Sequence, residues 1–360
     1  MAKFLFCLPR YHTNAAPWVR SLQHAGHKVS MQCMTVGPTE SYAELTPVWH
    51  RASRLSDWLG RRFGAERYLF PAFSTLYRHV NAENPDVVIV RGLTRWFMRM
   101  MALIALIQGR RLVVYDQEAS VPPLSSTWLR RALCRSVGIR SFTPKIDDSR
   151  RDTMGAALQI PFGCPYSLES QTDVPPRVLQ WPPRILMVAK YRERKRHADL
   201  LHALARLAGR IEFQLTFCGE EADDRDREYC NRLRILATEC GVGARLTFQN
   251  NVPYPAMMDV YRNHDLFVLP SVTEPAAVSP LEAVWCGCAA IVARQSGTRA
   301  YLPPGETFDF RDGDVADLAR AISGMSVSPC ALSSAQEMCW RRINRIAHDE
   351  VVLSAFEQLV

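Results

Sequence analysis

The sequence predicts an α/β protein made of two successive doubly wound halves. Three observations carry that expectation. Short apolar runs of strand length alternate with longer amphipathic segments, the rhythm of parallel sheets covered by helices. At 360 residues, with 48% hydrophobic and 22% charged residues, two globular domains are the natural prior. Between residues 165 and 183, Pro165, Pro175, Pro176, Pro182 and Pro183 cluster among few apolar residues, which marks a linker.

In the first half, residues 3–8 read as a strand ended by Pro9 and residues 14–25 as a helix. The GHKV turn at 26–29 leads into a strand over 29–34. The loop PRYHTNAAP lies at the first strand's carboxyl end, where such sheets place ligands. Arg10, His12, Thr13 and Asn14 are therefore candidate ligand contacts, or Thr13 and Asn14 merely cap the helix. Residues 46–81 are helical in composition, with Trp49, Leu55, Trp58, Leu59 and Phe63 at helical spacing beside Arg61, Arg62 and Arg67. They read either as a core-facing helix with a solvated basic face or as a membrane-surface patch. DVVIV (86–90) is a strand, 94–108 a helix with a very apolar face, and RLVVY (111–115) a strand ending in Asp116, Gln117 and Glu118. Residues 139–143 and 157–161 read as further short strands.

The second half restarts with ILMVAK (185–190), a loop, and an amphipathic helix bearing Leu200, Leu201, Leu204 and Leu207. Lys190 and Lys195 sit at a strand mouth and ahead of a helix, placing two cations where a diphosphate can use them, unless RERKR is a solvated turn. Residues 213–218 form a strand whose following Gly219 permits close backbone approach. A helix over 226–240, a strand over 245–248, the loop NNVPYP and a helix over 255–263 follow.

The stretch 266–293 organises the rest. LFVL (266–269) is a buried strand ended by Pro270, and Ser279 before Pro280 reads as a helix start. Glu282 stands three residues after that serine, a capping-box spacing, Gly287 ends the helix, and 289–293 is the next strand. Glu274 and Glu282 bracket the element with seven residues between them. A strand end followed by a helix N-terminus favours phosphate, and carboxylates accept hydrogen bonds from paired sugar hydroxyls, so the pattern suits a nucleotide-sugar. Glu282 is a helix cap, a ribose ligand, or both.

PSVTEPAAVSPLEA (270–283) resembles the donor-domain motif of the retaining glycosyltransferases of the GT-B fold, family four, P-S-x-x-E-P-F-G-…-L-E-A. The match keeps Pro270, Ser271, Glu274, Pro275, Leu281, Glu282 and Ala283; Ala276 and Ala277 replace the Phe-Gly pair. The start of the second half resembles the family's V-G-R-L-…-K-G-…-L-L-x-A segment, with Lys190 in place of its arginine, Lys195 matching its lysine and Arg196 where glycine is common. RQSGTRAYL resembles its G-G-x-x-E loop, with Ser296 and Ala300 in place of the first glycine and the acid. No glycine-rich loop follows the first strand, and no histidine follows residue 115 where the family often carries one.

The resemblance implies two Rossmann-like domains facing across a cleft: an acceptor domain over 1–165, a linker over 166–183, a donor domain over 184–334, and a helix over 335–360 returning to the first domain. It implies a retaining, metal-independent transfer of a hexose from a nucleotide diphosphate sugar to an acceptor hydroxyl, with no cofactor. Glu274, Lys195 and Lys190 then lie at the reacting end. Glu282, Ala276, Ala277, Ser279, Gly219 and Val252 hold the donor. Arg10, His12, Asn14, Asp116 and Glu118 face the acceptor. By analogy the acceptor is a bacterial glycan or glycolipid, such as a lipopolysaccharide precursor. A sugar-nucleotide epimerase of the same fold, or a non-catalytic nucleotide-sugar-binding subunit, are the alternatives.

The 44 basic against 36 acidic residues give a net charge of +8, with no charge block suited to nucleic acid. Eleven cysteines without C-x-x-C pairs point to reduced thiols in the cytoplasm. The amino-terminal MAKFLFCLPR is not a signal peptide, and the longest apolar run, 97–107, is too short to span a bilayer. The expectation is a soluble protein, in possible peripheral contact with the inner face of a membrane.

Overall fold

The computed structural model describes residues 1–11, 13–36, 41–63, 69–117, 136, 138–146, 158–166 and 181–360. The chain forms two units, Met1–Gly163 with Asp349–Val360, and Cys164–His348.

In the first unit the strands are β1 (Lys3–Arg10), β2 (Lys28–Thr35), β3 (Val48–Trp49), β4 (Val87–Arg91), β5 (Arg111–Tyr115), β6 (Arg140–Thr143) and β7 (Leu158–Gln159). They make one sheet in the order β3-β2-β1-β4-β5-β6-β7, parallel throughout. The order reverses between β1 and β4, the switch point beside which such sheets bind ligands. Pro9 lies inside β1 instead of ending it. The ladder with β4 stops at Cys7, so the missing N–H of Pro9 leaves no partner there unmet.

The covering helices are α1 (Ala16–His24), α2 (Arg54–Phe63), α3 (Phe73–Glu83) and α4 (Trp96–Ile107). Trp49, expected in a helix, pairs instead with Cys33 at the sheet edge, where a β-branched and an aromatic residue suit a short strand. Leu55 and Trp58 on α2 are exposed, so they do not face a core; Arg67 lies outside the described residues.

The second unit holds β8 (Arg184–Val188), α5 (His197–Leu207), β9 (Gln214–Gly219), α6 (Asp224–Glu239), β10 (Leu246–Asn250), α7 (Tyr254–Arg262), β11 (Leu266–Leu269), α8 (Ser279–Trp285), β12 (Ala289–Ala293), β13 (Asp309–Phe310), α9 (Val315–Met325) and α10 (Pro329–Ala347). Its six parallel strands run β10-β9-β8-β11-β12-β13. Every residue of β11 and β12 is buried, as continuous apolar runs covered on both faces require. Gly287, with φ +88°, turns the chain out of α8 toward β12.

The expected single helix over 335–360 is two. The backbone becomes extended at His348, and α11 (Asp349–Glu357) then packs in the first unit. There Phe356 meets Phe4, Phe6, Trp18 and Phe142 at centroid distances of 6.3, 6.2, 5.9 and 5.7 Å.

Candidate functional site

β8 and β11 are neighbours in the second sheet, and the loops leaving their carboxyl ends meet. After β8 the chain makes a 3-10 turn, Glu193–Lys195, and Arg196 then takes φ +59° before α5 starts. A side chain in that left-handed conformation costs about 1 kcal/mol, which explains why glycine suits the position. The turn buries Lys195 and ion-pairs it to Glu274 in the loop after β11. The same carboxylate oxygen accepts from Arg194 Nη1 at 3.1 Å and from Ser271 Oγ at 2.9 Å. The Val272 amide donates to the Arg194 carbonyl at 3.1 Å, so backbone as well as side chains join the two loops.

Burial pushes the Glu274 carboxyl up, but the Lys195 charge, hydrogen bonds from Lys195 and Ser271, and Arg194 outweigh it and hold it below 4.5. Burial draws the Lys195 ammonium down against the pull of Glu274. Two cations share one carboxylate, which leaves the cluster with net positive charge.

A third loop supports Glu274 from behind. The Gly297 amide donates to the Glu274 carbonyl at 2.9 Å, and a Cβ on Gly297 would stand 1.4 Å from the Pro275 carbonyl oxygen. Only glycine fits. Sequence reasoning missed this residue, although its survival in RQSGTRAYL was the available signal.

The capping box expected at Ser279 is absent. Val278 is the N-cap, and the Ser279 hydroxyl donates to the Val188 carbonyl at 3.2 Å. Ser279 is thus the first helical residue, and its side chain ties α8 to the end of β8. Glu282 is buried and accepts from the Tyr261 hydroxyl at 2.7 Å. Burial pushes its carboxyl above 4.5, with hydrogen bonds from Tyr261 and Tyr254 pulling the other way. Ala276 is half-buried and Ala277 buried; nothing among the described residues accepts a backbone hydrogen bond from either amide.

Lys190 stands apart from this cluster. It is exposed and pairs with Glu220 at 2.7 Å. A Cβ on Gly219 would lie 2.4 Å from the Ala189 carbonyl oxygen, so that glycine lets β9 approach the β8 exit. Val252 is half-buried in the loop after β10, beside Asn250, which accepts from the Tyr191 hydroxyl at 2.6 Å. Asp226 is buried and ion-paired with Arg192, while Asp314 caps α9 by accepting from the Ala316 and Asp317 amides.

In the first unit Arg10 ends β1 and Asn14 lies just beyond it. Asn14 and Gln117 flank Tyr115, whose hydroxyl burial pushes far up in pKa. Asp116 donates its amide to the Phe142 carbonyl at 2.9 Å. Arg91, which sequence reasoning passed over, ends β4, donates to Gln117 Oε1 at 2.8 Å and lies over the Tyr115 ring. Its signal was the one used for Asp116, a strand's carboxyl end. His12 and Glu118 lie outside the described residues.

Among the described residues no three His, Cys, Asp or Glu side chains gather to hold a metal ion, and no helix is long and apolar enough to cross a membrane.

The chain is 29% identical over 138 residues to D-inositol 3-phosphate glycosyltransferase 1 of Catenulispora acidiphila, covering 38% of this chain and 32% of that protein. The chain thus matches about a third of that relative's length. Its fold is similar to that of a glycosyltransferase from Rickettsia africae, with a TM-score of 0.72, 14% identity, and 99% and 97% of the two chains covered. It is likewise similar to Anabaena HepE in complex with UDP and glucose, with a TM-score of 0.70, 14% identity and 99% of each chain covered. The architecture is that of GT-B glycosyltransferases, and residues 176–334, which include the Lys195–Glu274 cluster, match the family model described as Glycosyl transferases group 1.

Proposed function

We propose that the protein is a retaining glycosyltransferase that moves a hexose from a nucleotide diphosphate sugar to an acceptor hydroxyl. The observation that carries this reading is the pair of cations, buried Lys195 and exposed Arg194, held on one Glu274 oxygen at the ends of adjacent strands. In the reaction the bond from the sugar's anomeric carbon to the diphosphate oxygen breaks and a bond to the acceptor oxygen forms on the same face. The acceptor's proton passes to the departing diphosphate. The difficulty is the charge on the leaving group, and Lys195 and Arg194 stabilise it without need of a metal ion. The Ala276 and Ala277 amides add donors toward the sugar or phosphate. Glu274 fixes the sugar's hydroxyls as its cations turn to the diphosphate. Glu282 takes the ribose, and Lys190 meets the diphosphate by exchanging its Glu220 partner.

The acceptor lies against Arg10, Asn14, Arg91 and Asp116 in this reading. It is a glycan or glycolipid of a bacterial surface, such as a lipopolysaccharide precursor, reached at the cytoplasmic face of a membrane. The relative named for inositol phosphate makes a phosphorylated polyol an acceptor to include in any screen.

Labelled uridine, guanosine and adenosine diphosphate sugars, incubated with the protein, a chelator and a bacterial lipid extract, test the reading. The expected result is label in the extract with the donor's anomeric configuration retained. Epimerised donor without transfer, or tight binding of every donor without turnover, would overturn it.

A further inference from the structure

Helix α4 reads WFMRMMALIALI, with Arg99 its one charged residue. Phe97, Met98, Met101, Ile104 and Ala105 are buried, which accounts for one face. A surface helix normally turns polar residues outward on the other. Here the outward residues are Trp96, Leu103, Leu106 and Ile107, and they are 42%, 51%, 50% and 57% exposed. The patch continues onto α3. Phe73 and Tyr77 are exposed and stack on each other at 6.2 Å, and the Gln108 side chain donates to the Tyr77 carbonyl at 3.1 Å. Near the amino-terminal end of α4, the Phe70 and Trp96 rings stand 6.1 Å apart.

The residues on and beside α4 carry arginines and no acid, and the one acid of α3, Glu83, accepts hydrogen bonds from the Ser30 and Gln32 side chains. Residues 87–115 contain no aspartate or glutamate and five arginines. Arg95 precedes α4, Arg110 follows it, and the Arg99 guanidinium lies 5.4 Å from the Trp96 ring centroid. Arg78 is exposed on α3.

We infer that the outward face of α3 and α4 docks on an anionic lipid bilayer. Apolar side chains enter the acyl boundary, Trp96 sits at headgroup depth, and the arginines meet lipid phosphates. A second copy is the poorer occupant. A two-fold interface sets the same patch against itself and brings Arg95 and Arg99 against their own copies, with no acid on α4 to separate them. The inference stands independently of the proposed reaction.

Vesicle flotation tests it. The full chain is mixed with vesicles of phosphatidylcholine alone or of phosphatidylcholine with phosphatidylglycerol. The expected result is binding to the anionic vesicles that weakens as salt is raised. The double variant Leu103→Glu, Ile107→Glu should bind at least about tenfold less while keeping wild-type circular dichroism. Should that variant misfold, the milder Arg95→Gln, Arg99→Gln pair serves in its place and should lose binding to anionic vesicles. Wild-type protein that ignores anionic vesicles, variants that float as well as wild type, or a dimer that Leu103→Glu breaks would each overturn the inference.

Discussion

At the carboxyl ends of the second unit's strands, cations rest on carboxylates: Lys195 and Arg194 on Glu274, Lys190 on Glu220, Arg192 on Asp226. At the same end of the first unit's sheet, Arg91 rests on the neutral amide of Gln117 beside the Tyr115 ring. A cation buried as deeply as Lys195 is costly without a counterion, so its position demands a fixed carboxylate. Arg91 is only half-buried, so solvent shares its charge and its position makes a weaker demand. The difference teaches where rigidity is needed. Under the proposed function, the end that receives the leaving charge is braced before any ligand arrives, and the end that meets the acceptor is braced less.

The sharpest way to break that comparison is Gly297→Ala. The new methyl group must displace the Pro275 peptide, which moves Glu274 and unseats Lys195. Transfer should fall about a thousandfold with the fold retained, since even a 1 Å misplacement costs about a hundredfold. Gly92→Ala in the first unit meets open space and only the strain of φ +64°, so about 1 kcal/mol of stability and little activity should be lost. Equal effects on activity at the two glycines would erase the contrast.

Lys195→Ala should cost about a hundredfold in turnover, and Arg194→Ala, on an exposed side chain, markedly less. Steady-state rates with the preferred donor decide this, and near-normal rates in Lys195→Ala would leave that lysine a purely structural partner of Glu274.

Glu282→Gln sharpens the comparison within the second unit. A carboxyl whose folded pKa is raised favours folding fully below its free value of 4.5, and that benefit is lost as pH rises through the folded value. The amide is free of this loss, so the melting temperature at pH 7 should rise by roughly 1–4 °C and converge with wild type in acid. Nucleoside diphosphate affinity should weaken about tenfold if the carboxylate holds the ribose. Calorimetric titration with unchanged affinity would leave Glu282 only its bond to Tyr261.

The smallest effect concerns pH. His197, enclosed by Tyr191, Phe217 and Tyr229, is lowered to about 3 by burial and by Lys195, and His50 in the first unit is lowered to about 4 by burial and His79. The unfolded chain takes up these protons first as pH falls below 6.5, so acid removes stability. The loss through His197 can reach about 1.4 kcal/mol per pH unit. Denaturant midpoints of His197→Phe should therefore fall less steeply between pH 6.5 and 5 than those of wild type.

The strands were legible wherever burial on both faces makes an unbroken apolar run, as in RLVVY, LFVL and AAIVA. Val48 and Trp49 were not, because a two-residue edge strand a few residues ahead of α2 merges into a helical spacing. The Ser279–Glu282 pair shows another limit. The same residues fit a helix starting at either of two positions, and the choice falls to the Val188 carbonyl, which lies far away in sequence. Glu274 and Lys195 announced themselves through charge at element ends. Gly297 acts by what it lacks, so only the nearness of Pro275 reveals its importance.

The break at His348 makes the first unit discontinuous along the chain. Its aromatic cluster of Phe4, Phe6, Trp18 and Phe142 is closed by Phe356, which the ribosome delivers only after the whole of the second unit. The amino-terminal sheet must therefore wait, half-sealed, through most of translation, while the second unit can settle before it. A stop codon at 349 would injure the part of the protein made first.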